Sequence, residues 1–158
     1  MKYPIYNSQL IEVPLGPTGA TAGQQINFPI INRLKDVVLL GFACYSTDIL
    51  GNTPSGFQNL SPTNLAKTVV NIQDKIGQSP IENFPSNGAN PLVNFGFSQD
   101  VNPIMFDISK SSVRFTAANT YAVGQPVEAF IINVFFLHLE QYRKLRKEGF
   151  FKEAVGVI

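Results

Sequence analysis

The chain has one histidine, one cysteine and no tryptophan, and Asp, Glu, Lys and Arg together supply 15% of its 158 residues. Each shortage closes off some chemistry. With His138 as the sole histidine, a three-histidine metal site, HExxH and every two-histidine spacing are excluded. With Cys44 as the sole cysteine no internal disulfide can form, which fits a reducing compartment. Cys44 lies in the apolar run VVLLGFACYS, so it reads as a small buried hydrophobe rather than a nucleophile. A formal net charge of +1 sets up no global field toward nucleic acid or anionic lipid, and any basic site must be local. No uninterrupted apolar run reaches the ~18 residues of a membrane-spanning helix. The opening MKYPIYNSQLIEVPLGP lacks a basic head followed by a signal-like apolar run, so the expectation is synthesis in, and retention by, the cytosol.

The familiar catalytic and nucleotide signatures are also missing. GxGxxG, GxxxxGK[ST], the GxSxG elbow and the DxDxDG calcium loop do not occur. Asp100 and Asp107 read as surface carboxylates. Ser109 and Lys110, taken as neighbours on a strand, would face opposite ways and make no dyad. Asn59-Leu60-Ser61 fits the glycosylation pattern, but without an export signal it is idle. The chain is therefore expected not to be an enzyme and to carry no cofactor and no metal.

What the chain has in abundance is phenylalanine, with 13 residues, and turn formers, with 11 Pro and 12 Gly. Low charge, many aromatics and frequent turns are the mark of an all-β domain, and the length suits one domain. The stretch that organises the rest is Val127 to His138, VEAFIINVFFLH. Its Val, Ile and Phe suit a strand covered on both faces, with Glu128, Asn133 and His138 as its polar members. Such a strand would run roughly 40 Å, long enough to suggest that it reaches past its own sheet into a neighbouring subunit.

Read in order, residues 1–24 carry Pro4, Pro14, Gly16, Pro17, Gly19 and Gly23 and are expected to form an extended arm. Residues 25–138 are expected to form one β-sandwich or jelly roll. Its strands are read near 25–31, 36–46, 65–74, 103–108 and 113–117 and at the central stretch, with a short helix possible at 62–67. Pro-, Gly- and Asn-rich segments at 47–63 and 77–96 are read as long loops. Residues 139–158 are expected to form a short amphipathic helix and a tail, because Leu139, Tyr142 and Leu145 recur every three residues among charged ones and Gly149 follows.

That C-terminal segment holds the chain's one charged cluster. Arg143, Lys144, Arg146 and Lys147, beside Phe150 and Phe151, form a candidate interaction surface for an anionic partner or an adjacent subunit. A solvated helix face explains the same residues without any partner.

The succession of short strands and Pro/Asn/Gly loops, the stretch DISKSSVRF from Asp107, the ANTY from Ala118 and the strand ending NVFF from Asn133 resemble small jelly-roll structural proteins of bacteriophage particles. They also resemble capsid proteins of tailless phages with an internal membrane. The likeness spans residues 25–137. It implies a virion component made in the host cytoplasm, a capsid, minor capsid or vertex protein that packs as a homo-oligomer and against other capsid proteins. In such a particle the basic C-terminal cluster is the expected point of contact with genome or internal membrane. A β-sandwich module binding a receptor or glycan through the loops 47–63 and 77–97 is the alternative expectation.

Overall fold

The computed structural model describes residues 7–47, 55–91, 97–98 and 103–149. In chain order their elements are β1 (Asn7–Pro14), β2 (Gly19–Ala20), β3 (Gln25–Asn27), β4 (Val37–Tyr45), β5 (Gln58–Asn59), α1 (Pro62–Leu65), β6 (Thr68–Ile72) and β7 (Ile81–Pro85). There follow β8 (Phe97–Ser98), β9 (Ile104–Met105), β10 (Ser112–Phe115), β11 (Asn119–Thr120), β12 (Glu128–His138) and α2 (Leu139–Lys147). The chain is an all-β sandwich closed by a short C-terminal helix.

β12 is the centre of the main sheet, whose order is β1-β12-β4-β8, with β9 also on β4 and β5 on β12. The facing sheet runs β3-β10-β6-β7, and β2 pairs with β11 at one corner. This arrangement is a jelly roll. Folding the chain back on itself at the β6–β7 hairpin brings β4 against β8 and β9, β3 against β10 and β1 against β12. Wrapping that doubled ribbon around a core gives the two observed strand orders, all of these pairs being antiparallel.

Two expectations need correction. The first concerns the arm. Within residues 1–24, Asn7–Pro14 is a full strand of the main sheet, matched residue for residue from Asn7 opposite Phe136 to Pro14 opposite Ala129. The punctuating prolines and glycines hid a period of two in which Ile11, Val13 and Leu15 enter the core. The second concerns the length of β12. β1 takes one side of it from Ala129 to Phe136, and β4 takes the other from Ile131 to His138. The strand is thus used up inside its own sheet, and its length argues for no neighbour.

β12 and β4 are covered on both faces, as their composition predicts. Phe130, Ile132, Val134 and Phe136 point between the sheets with Val37, Leu39, Phe42 and Cys44. The phase of β4 changes halfway because Phe135 pairs with Gly41 while Phe136 pairs with Leu39, which makes Leu40 the extra residue of a β-bulge. The opposite sheet contributes Val70, Ile72, Val113 and Phe115, and Phe106 joins from the segment after β9. Each such buried ring stabilises the fold by about 2–3 kcal/mol.

The loop expected at 77–96 contains β7 and, at Ser86–Ala89, a 3-10 turn that seals the core. There the Thr68 hydroxyl donates its one proton to the Leu65 carbonyl at 2.7 Å and accepts from the Ser86 hydroxyl at 2.6 Å, so these buried hydroxyls are satisfied. The strand expected over 103–108 is shortened to β9 because Asp107 caps a 3-10 turn, its carboxylate accepting from the Ser109 backbone and hydroxyl. At the β2–β11 corner Gly19 has φ +99°, and a Cβ there would strike the Asn119 carbonyl oxygen.

Candidate functional site

The expected amphipathic helix forms as α2 and is laid on the outer face of the main sheet. Leu139, Tyr142 and Leu145 pack on Val38, Leu40, Met105 and Leu137, a second apolar cluster separate from the core between the sheets. The bulge at Leu40 helps to build this cluster, because it turns Val38 and Leu40 outward while Phe42 and Cys44 still face inward. Glu140 sits in the first turn of α2 and Lys144, Arg146 and Lys147 in the last, each sign at the end of the helix dipole that favours it.

Arg143, Lys144, Arg146 and Lys147 are all exposed, and Arg143, Arg146 and Lys147 line a hollow of about 300 Å³. The other two members of the expected surface, Phe150 and Phe151, lie outside the described residues. Because the apolar stripe of α2 is occupied by the sheet, what the helix offers outward is charge. It has no apolar face left to insert into a bilayer interface.

His138 occupies the N-cap position of α2 without a side-chain capping bond. Its ring instead meets Phe136 edge to face at 5.6 Å between centroids. The Leu139 N–H at this junction is taken by the Asp36 carbonyl at 3.1 Å. His138 lies opposite Val37 and Cys44 opposite Ile132, so the two are about 20 Å apart along the sheet and form no dyad. Desolvation drives the Cys44 thiol far above its ordinary value of 9.0, with a hydrogen bond to Ser86 offsetting only part of the shift. A neutral, sealed thiol is no nucleophile.

Ser109 and Lys110 fall in an exposed turn, where the Ser109 hydroxyl donates to Asp107. Asp100 lies outside the described residues. Asn59 is fully buried and accepts the Leu60 N–H, which removes it from any glycosylating enzyme. Ser61 caps α1 through the Asn64 N–H.

A second surface was not foreseen. On the outer face of the main sheet, beyond α2, cross-strand pairing sets Glu12, Ile131 and Tyr45 in one row, Leu10, Asn133 and Ala43 in the next and Ser8, Phe135 and Gly41 in a third. A cleft of about 770 Å³ opens here, lined among the described residues by Leu10, Glu12, Pro29, Tyr45, Ser55 and Asn133 with Ser8, Gln9 and Ile31. Asn133 Nδ2 donates to the Tyr45 hydroxyl at 3.3 Å, and Asn133 Oδ1 is buried without a partner among the described residues. The Ser55 N–H donates to Glu12 at 3.3 Å. The one trace of this site in the sequence is Asn133, a polar residue inside an apolar strand. Its partner Tyr45 is 88 positions away, a distance only the sheet can close.

Comparisons with family models, with curated proteins and with solved structures found no match to this chain.

Proposed function

We propose that this chain is a structural component of a virus particle, a phage capsid or vertex block that works by packing against copies of itself and against other shell proteins. The observation that carries the reading is the strand order. Two layers with the strand paths β1-β12-β4-β8 and β3-β10-β6-β7 are the jelly roll, an architecture used by viral capsid and lectin domains and by cupins. Fold alone does not select among these. The single histidine leaves no histidine cluster of the kind a cupin-type metal enzyme needs, which favours the shell reading over that one. Near-neutral charge, 15% charged residues and 13 Phe suit a subunit surrounded by others.

In this reading the particle is assembled in the host cytoplasm and the basic face of α2 looks toward packaged genome. Contact there is electrostatic, through Arg143, Lys144, Arg146 and Lys147 to phosphate, and it weakens steeply with salt. An internal membrane would be met through its anionic head groups by the same charges, without insertion of α2.

The second reading, a receptor- or glycan-binding module, is favoured by the cleft over Asn133. Size-exclusion chromatography with light scattering separates the two. The particle reading expects a discrete multimer whose population grows with concentration. A monomer at every concentration contradicts it.

A further inference from the structure

The cleft on the outer face of the main sheet has a chemistry that its place in the fold does not require. β12 alternates cleanly, and its outward positions Ala129, Ile131 and Leu137 are fully buried apolar side chains. Asn133 breaks that pattern at the middle of the floor. One of its N–H groups is committed to Tyr45, its carbonyl oxygen is unmatched, and a valine would satisfy the strand better. A polar group kept at a site where folding alone disfavours it points to a role in binding.

We propose that this cleft binds a neutral, hydroxyl-bearing ligand, a saccharide, across Tyr45, Asn133 and Glu12. The Tyr45 hydroxyl, which accepts from Asn133, keeps its own proton to give. Asn133 holds a second N–H, and the Glu12 carboxylate, which takes one N–H from Ser55, has an oxygen left to accept. Donors and an acceptor side by side are matched by hydroxyl groups, which do both. Leu10 and Pro29 supply apolar surface for the C–H faces of a ring. Among the described lining residues Glu12 alone carries a charge, so the site repels phosphate and carboxylate ligands. The volume of about 770 Å³ lies in the range of small-molecule sites. Arg33 is engaged with the Ser8 carbonyl and Gln9 Oε1, each at 3.0 Å, and its guanidinium lies over the Phe136 ring.

This inference gives the second reading its site and does not depend on the particle reading. The test is saturation-transfer NMR on the full chain with methyl glucoside, methyl galactoside, methyl mannoside and N-acetylglucosamine, and with sialic acid and inorganic phosphate as anionic probes. The expected result is transfer to at least one neutral sugar, with affinity about tenfold weaker in Tyr45→Phe and in Glu12→Gln. Both substitutions are conservative, and an unchanged melting curve shows that each variant is folded. Sugar binding that neither folded variant weakens overturns the cleft while leaving a glycan-binding module in place. Transfer to none of the neutral sugars, or stronger transfer to the anionic probes, overturns both.

Discussion

The side-chain amide of Asn133 reaches the hydroxyl of Tyr45 from one strand of the main sheet to the next, at 3.3 Å, and leaves its own oxygen buried and unmatched. That relationship predicts a trade between stability and binding. Asn133→Val removes the orphaned oxygen and suits a β-strand, so it should raise stability by about 1 kcal/mol and the melting temperature by roughly 2–4 °C. The same variant should bind neutral sugars worse than the parent chain. Scanning calorimetry reads the first effect, and a lower melting temperature would mean that Asn133 is there for the fold.

The bulge at Leu40 sets which face every β4 side chain takes. Deleting Leu40 would remove the bulge and let the pairing run unbroken from Phe135 opposite Gly41 to Phe136 opposite Leu39, so Val37, Leu39, Phe42 and Cys44 would all stay in phase with the core. The expected outcome is a cooperative unfolding transition that is kept but moved to lower stability by loss of the Leu40 side chain from the cluster beneath α2, checked by circular dichroism. Leu40→Ala keeps the register and should only destabilise, by about 2–4 kcal/mol, through the cluster beneath α2.

Cys44 gives a prediction with a definite sign. In the folded chain burial keeps its thiol protonated, whereas in the unfolded chain it ionises near its ordinary value of 9.0. The unfolded state therefore binds fewer protons above that pH, and the Cys44 contribution to stability is full below pH 9.0 and falls as pH rises past it. The slope approaches ~1.4 kcal/mol per pH unit. Comparing denaturant midpoints of the parent and Cys44→Ala across this range isolates the effect. At neutral pH iodoacetamide should label the thiol only as fast as the protein opens.

The first and last described elements, β1 and α2, are parts of the domain. Removing residues 1–15 takes away β1 with Ile11, Val13 and Leu15, so the remainder should not fold, in contrast to what an arm would allow. Tyr142→Ala uncovers Val38, Leu40, Met105 and Leu137 and should destabilise by about 3–5 kcal/mol. Arg143→Ala and Lys147→Ala, which alter only the exposed face, should stay within about 0.5 kcal/mol of the parent. Chemical denaturation of the three variants checks this ordering.

The elements legible in the sequence were those with strong periodicity or continuous apolar runs: β12, β4, β10 and the stripe of α2. Pairing was hidden because the strands that matter most to each other are far apart in the chain, as with Ile11 and Ile132. β1 was hidden for another reason: Pro14 and the glycines after it read as punctuation for the whole segment, when Pro14 stands only at its end. The basic residues of α2 were visible as a run, but only the packing of Leu139, Tyr142 and Leu145 on the sheet shows that the helix is not free to enter lipid. The cleft was the least legible, because its floor combines β1, β4 and β12.

The central claim, that this jelly roll acts as a building block, is tested most directly by electron microscopy of the purified full chain over a concentration series. The expected images are closed rings, capsomer-like clusters or shells of uniform size that become more numerous with concentration. Fields of isolated single domains at the highest concentration reached, with no recurring assembly, would contradict it.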